Sequence, residues 1–120
     1  MKDYTLIIGA STNPERYSYK ALQLLTKFKY KVIAVGAREG TVFDCKINTD
    51  IPDDYPVDTV TLYINAKLQE NYYDKIISLK PRRVIFNPGT ENSFFQNMLS
   101  QNNIGYLEAC TIVMLMTGQY

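Results

Sequence analysis

Short apolar runs closed by turn residues, and separated by stretches of helical period, constrain this chain's fold more than any other feature. Thr5-Leu6-Ile7-Ile8-Gly9 is the first such run. Continuous rather than alternating apolar character is what a strand buried on both faces requires. Lys31 to Gly36, Val57 to Ile64, Arg83 to Phe86 and Ile104 to Ala109 read the same way, with a weaker extended stretch at Thr41 to Ile47. Between them, Tyr17, Ala21, Leu24, Leu25 and Phe28 recur at the spacing of one helix face. Leu68, Tyr72, Ile76 and Leu79 form a second stripe, closed by Lys80-Pro81, and Phe95, Met98 and Leu99 mark a third. Asn13 is expected to cap the first helix and Pro14 to open it, since proline has no N–H to leave unpaired there.

Buried strands alternating with helices imply parallel βαβ units. Right-handed crossovers then favour a Rossmann-like, doubly wound, mostly parallel α/β sheet with helices on both faces. The 120 residues suffice for a single domain, 1–120, with one core. The apolar tail from Thr111 to Thr117 reads as a short helix docked on the sheet edge, or as a dimer contact.

In an open parallel sheet, ligands bind outside the carboxyl ends of the strands. The first strand ends Gly9-Ala10-Ser11-Thr12-Asn13-Pro14 and leads into a helix whose beginning carries Arg16. A glycine turn entering a helix presents free amides and the positive end of the helix dipole, which suits phosphate. Ser11 and Thr12 can add hydroxyl donors, and Arg16 and Lys20 can add charge; the plain alternative is a tight, well-capped turn. Gly9-x-Ser11-x-x-Pro14 is not G-x-G-x-x-G. The second strand ends Val35-Gly36-Ala37-Arg38, where an NAD site would want an acid for the ribose hydroxyls. Arginine there suits a phosphate on the adenosine ribose, as in coenzyme A or NADP, although Glu39 follows directly.

A second glycine turn, Asn87-Pro88-Gly89-Thr90-Glu91-Asn92, can face the same crevice or simply turn the chain. Asn65 can touch a ligand or cap a helix, and capping is the expected role. Cys110, at the end of the last strand, is either a small buried hydrophobe or a thiol beside the sulfur end of a thiol cofactor. Cys45 has no assigned role, and Tyr17 and Tyr19 are accounted for by core packing, with a pocket wall as the alternative.

Composition enters as a limit on chemistry. There is no histidine, which removes Ser-His-Asp and Cys-His nucleophile systems, His-ligated zinc and the commonest general base near neutral pH. Thirteen Lys and Arg against twelve Asp and Glu leave a net charge of +1, so no global field recruits nucleic acid or an anionic membrane. Two cysteines without metal-ligand spacing argue against a disulfide framework or a zinc site. The chain enters an apolar strand directly after Met1-Lys2-Asp3-Tyr4, and no apolar run approaches a membrane span, so a cytoplasmic protein is expected.

Taken together, GASTNPERYSYKA, the strand KVIAVG, IPDDYPVDTVTLYIN, FNPGTEN and the closing EACTIVML resemble the CoA-binding protein family. These are stand-alone domains similar to the N-terminal CoA-binding domain of the succinyl-CoA synthetase α subunit. The resemblance spans nearly the whole chain in order. It implies a Rossmann-like sheet binding CoA, with the diphosphate at the first turn. Gly9, Ala10, Ser11, Asn13, Arg16 and Ser18 fall on the phosphate-side motif, and Gly36 and Arg38 on the adenosine side. Asn87, Pro88 and Gly89 match the second turn, and Cys110 matches the cysteine at the last strand end. Where the broader family often carries a Pro-Val-Asn-Pro-like run, this chain has Ala34-Val35-Gly36-Ala37-Arg38. The synthetase relatives use a phosphorylated histidine from a further domain, and this chain contains no histidine.

The expectation is therefore a CoA or acyl-CoA binding module without ligase chemistry of its own, and with no catalytic or metal-binding residues assigned. The alternatives are an NADP-dependent enzyme, a thiol-dependent enzyme using Cys110, or a ligand-free assembly module. A homodimer or an unidentified protein partner is left open.

Overall fold

The inner strands of the central sheet are apolar on both sides because both of their faces are covered. The computed structural model describes residues 2–120. In chain order these form β1 (Tyr4–Ile8), α1 (Tyr17–Lys27), β2 (Lys31–Val35), β3 (Gly40–Val42), β4 (Cys45–Asn48) and β5 (Val57–Leu62). There follow α2 (Ala66–Gln69), a 3-10 turn (Glu70–Tyr72), α3 (Tyr73–Leu79), β6 (Arg83–Phe86), α4 (Ser93–Gln101), β7 (Gly105–Glu108) and α5 (Thr111–Met116). The strands lie in the order β3-β4-β2-β1-β5-β6-β7. All neighbours are parallel except the β3–β4 pair. This is the Rossmann-like, doubly wound α/β sheet that the pattern predicts.

The period-2 alternation of strand side chains sorts the core into two layers. Leu6, Ile8, Val35, Leu62 and Phe86 point to one face and pack with Ile76 of α3 and Phe95 and Leu99 of α4. Ile7, Ala34 and Ile47 point to the other and pack with Ala21 and Leu22 of α1. The order reverses between β1 and β5, on either side of which the chain winds in opposite directions. A crevice at the carboxyl ends is the geometric consequence.

Four local expectations are corrected. The first helix starts at Tyr17 with Arg16 in the capping position, not at Asn13 and Pro14. Asn13 instead accepts the Glu15 amide through its side chain at 3.0 Å, a local turn bond that competes with capping. Tyr17 and Phe28 lie outside the buried face of α1, which is Ser18, Ala21, Leu22, Leu24 and Leu25; Leu68 is exposed as well. The weak extended stretch is two strands rather than one. Its turn places Phe43 and Asp44 at φ 52° and 62°, as a two-residue hairpin requires, and Phe43 packs edge-on against Tyr19. β3 thus carries the chain back along the sheet edge where a crossover helix would otherwise run.

The fourth concerns the tail. α5 docks on α1 across the face of the sheet, not at its edge, with Leu115 buried against Leu24 and Leu25. Beyond it, Tyr120 stacks edge-on with Tyr30 and its hydroxyl meets that of Thr5.

Candidate functional site

Three strand ends are drawn together until their backbones touch. The amides of Gly9 and Ala10 both donate to the Val35 carbonyl, at 2.8 and 2.9 Å, which folds the turn after β1 onto the end of β2. A methyl group on Gly36 would stand 2.2 Å from the Ala10 carbonyl oxygen. On the other side, a methyl group on Gly9 would stand 2.9 Å from the Tyr63 backbone, and Gly9 itself has φ +101°. Glycine is therefore required at both positions, once for space and once for both space and conformation.

Beyond Gly9 the turn is held by its own polar groups. Ser11 Oγ accepts the Asn13 amide at 3.0 Å, and Asn13 Oδ1 accepts the Glu15 amide. Arg16 offers α1 no side-chain cap. Among the described residues, the amides of Ser11, Thr12, Tyr17 and Ser18 have no protein acceptor. Free amides at the start of an eleven-residue helix, beside a glycine turn, form an anion cradle.

This cradle is one wall of a crevice of about 810 Å³, within the range of small-molecule sites. Gly9, Ala10, Ser11, Asn13, Arg16 and Ser18 line it together with Arg38 and Pro88. The ion pairs of the described residues are Lys31–Asp3, Lys67–Glu70, Lys75–Asp53 and Arg82–Asp58. Arg16 and Arg38 are in none of them. Both are exposed and uncommitted at the mouth of the crevice. Tyr17, 79% exposed on α1, and Leu68, 49% exposed on α2, add apolar surface to the lining.

Gly36, Asn87, Gly89 and Cys110 do not line the crevice. Gly36 lies beneath the first turn. Asn87 is buried and points inward: its Nδ2 donates to Thr61 Oγ1 at 2.7 Å and the Leu62 carbonyl at 2.8 Å. Its Oδ1 accepts the Thr111 amide at 2.8 Å, so it ties β5 to the start of α5. Gly89 faces solvent at φ +91°, where its amide donates to Glu91. Cys110 is half-buried in the capping position of α5.

The opposite wall depends on residues that sequence reasoning missed. Buried Gln69 donates to the Ile64 and Thr90 carbonyls at 2.9 and 2.7 Å, fixing the second turn against the end of β5. Asn92 donates to Gln69 Oε1 and to the Tyr73 hydroxyl, both at 2.9 Å, and caps α4 through Phe95 N. Asn65 caps α2, as expected, by accepting Leu68 N at 3.0 Å. A polar residue on the apolar stripe, Gln69 beside Leu68, is the only hint the sequence offers of this network.

Tyr63 follows β5 and lines the crevice, yet its hydroxyl is buried and, among the described residues, has no partner at hydrogen-bonding geometry. Burial, and then the neighbouring Cys110, push its pKa far above the ordinary phenol value, against a smaller opposite pull from the nearby Thr111 and Thr61 hydroxyls, neither of which meets it in hydrogen-bonding geometry. Burial also raises the Cys45 thiol. Among the described residues no His, Cys, Asp and Glu cluster is placed to hold a metal ion, and no helix is long and apolar enough to cross a membrane.

Over residues 4–116 the chain matches a family described as a CoA binding domain. No curated protein matches it. Among solved structures, an uncharacterized protein with 44% identity superposes with a TM-score of 0.94, covering 100% of this chain and 99% of its own. A protein from Thermus thermophilus matches at 16% identity and TM-score 0.87, covering 99% and 91%. A hypothetical protein from Pyrococcus horikoshii OT3 matches at 24% identity and TM-score 0.83, covering 97% and 82%. The last two share the fold.

Proposed function

The chain belongs to the CoA binding domain family, and on that premise we propose that its crevice holds coenzyme A or an acyl-CoA, with the diphosphate on the β1–α1 turn. The observation that carries this reading is the set of uncommitted donors there: the amides of Ser11, Thr12, Tyr17 and Ser18, with the unpaired guanidinium of Arg16. They suit a diphosphate, which offers acceptors only. Arg38 would take the phosphate on the adenosine ribose, which is what separates CoA from NAD at such a site. Family membership favours CoA over NADP. Tyr17 and Leu68 would cover the ligand's less polar parts.

The proposal is a binding module. CoA supplies a thiol that carries acyl groups; the residues here bind and orient it, and the absence of histidine removes the phosphohistidine route.

Thermal shift against CoA, dephospho-CoA, acetyl-CoA, NADP, NAD and ATP tests this. CoA at a hundred times its Kd should add about 2.7 kcal/mol of stability, dephospho-CoA should give less, and NAD nothing. Equal responses to NAD and CoA would remove the role of Arg38. No response to any nucleotide would overturn the assignment.

A further inference from the structure

Charge is spread unevenly along this chain. Of its thirteen Lys and Arg and twelve Asp and Glu, only Glu108 falls within residues 93–120. That segment forms α4, β7 and α5. β7 is the last strand of the sheet, so one sheet edge, and a helix on each of its faces, carry almost no charge. The exposed residues there include Asn97, Ser100 and Gln101 on α4 and Val113 and Met116 on α5. A soluble surface ordinarily carries about 25–35% charged residues, and depletion of charge marks the buried centre of an interface. The edge is also unguarded: residues 93–120 contain no Lys, Arg or Pro, the residues that keep a sheet edge from pairing. At the other edge, β3 is three residues long and bracketed by Arg38, Glu39 and Asp44.

The free side of β7 has a defined pattern. In a parallel ladder, alternate residues turn their N–H and C=O groups toward the neighbouring strand. Gly105 and Ala109 donate to the Arg82 and Phe86 carbonyls at 3.3 and 3.2 Å, so Leu107 faces β6 as well. The amides and carbonyls of Tyr106 and Glu108 therefore point outward, and among the described residues they have no partner. We propose that this edge pairs antiparallel with the same edge of a second copy of the chain, about a two-fold axis through Leu107. Tyr106 then exchanges both backbone hydrogen bonds with Glu108 of the partner subunit, and Glu108 with the partner's Tyr106, which satisfies every outward group. The side chains favour this register. Tyr106 and Glu108 lie on the α4 face, where Tyr106 meets Phe86 edge-on and Glu108 accepts Gln96 Nε2 at 3.0 Å. An axis through Leu107 sets each Glu108 opposite a tyrosine, whereas an axis through Glu108 would oppose two carboxylates, which is destabilising. An axis through Tyr106 would call on Ile104, whose amide is already given to the Leu99 carbonyl at 2.9 Å. The contact is isologous and joins two seven-stranded sheets into one. None of these residues lines the crevice, so the proposal does not depend on the CoA reading.

Sedimentation equilibrium of the full chain over a concentration series tests the association. A dimer of twice 13.8 kDa that dissociates on dilution is expected, and a monomer throughout overturns the proposal. Glu108→Pro removes one outward N–H and no bond to β6, a change that edge strands tolerate. It should sediment as a monomer with the far-ultraviolet circular dichroism of the wild type. Leu107→Cys reads the register, in a chain whose own cysteines are replaced by Cys45→Ser and Cys110→Ser. Opposed residues between the hydrogen-bonded pairs stand about 4.5 Å apart at Cα, within the span of a disulfide. Mild oxidation should therefore convert this variant to a reducible covalent dimer. Thr41→Cys in the same background, exposed on the β3 edge, should not cross-link. A wild-type dimer that gives no disulfide at residue 107, or one that cross-links equally at residue 41, overturns the proposal. So does an undiminished dimer in folded Glu108→Pro; should that variant not fold, the disulfide decides.

Discussion

At the scale of single residues, Gly36 shows why the turn after β1 has its shape. Its missing side chain leaves room for the Ala10 carbonyl, 2.2 Å from where a methyl would stand. Gly36→Ala should therefore destabilise the fold by about 1–3 kcal/mol, the usual penalty of overpacking, and weaken nucleotide binding with it. Denaturation and ligand titration of the same variant check both, and unchanged stability would contradict the packing. Tyr63 predicts the opposite sign. Among the described residues its hydroxyl has no partner at hydrogen-bonding geometry, so Tyr63→Phe removes an unsatisfied group and should leave the melting temperature unchanged or higher. A clear drop would mean the phenol is bonded after all. Gly36 was visible in the sequence as a glycine at a strand end. Its reason was not, because the atom it avoids belongs to another strand end, twenty-six positions earlier in the chain.

At the scale of elements, legibility followed burial. β1, β2, β5 and β6 are covered on both faces and wrote themselves as apolar runs. The β3–β4 hairpin did not, since Phe43-Asp44 lacks the glycine or asparagine that marks such turns and its left-handed backbone is backed by the Tyr19 contact. The start of α1 was misplaced for a related reason: Asn13 and Pro14 are good cap residues that the turn uses first. The join between β5 and β6 carries an acid-stability prediction. The Arg82 hydrogen bonds hold the Asp58 carboxyl below its ordinary range. A depressed carboxylate stabilises the fold above its unfolded pKa, about 3.9, and that stability is lost as pH falls through the folded value. Asp58→Asn should lower stability near neutral pH by up to about 1 kcal/mol, since the pair is partly exposed. It should also make the acid decline below about pH 4 shallower. Identical pH profiles for the two proteins would contradict this.

At the scale of the whole molecule, the reversal of strand order between β1 and β5 sets where the crevice opens. The carboxyl end gathers amides, Arg16 and Arg38 around the larger crevice. The sheet and the first turn of the candidate site were legible because both follow from local pattern. Gln69, Asn92 and Tyr63 were not, because their roles depend on partners that only the folded chain brings near. Nor was the inward turn of Asn87, which sequence could only place at a strand end. The central claim is that the first turn binds CoA through its free amides and Arg16. Calorimetric titration of CoA into the wild-type protein and Arg16→Ala tests it most directly. Saturable binding that weakens in the variant by about 1.5–3 kcal/mol, roughly 10- to 150-fold, is the predicted result. No heat of binding in the wild type, or the same affinity in both proteins, would contradict it.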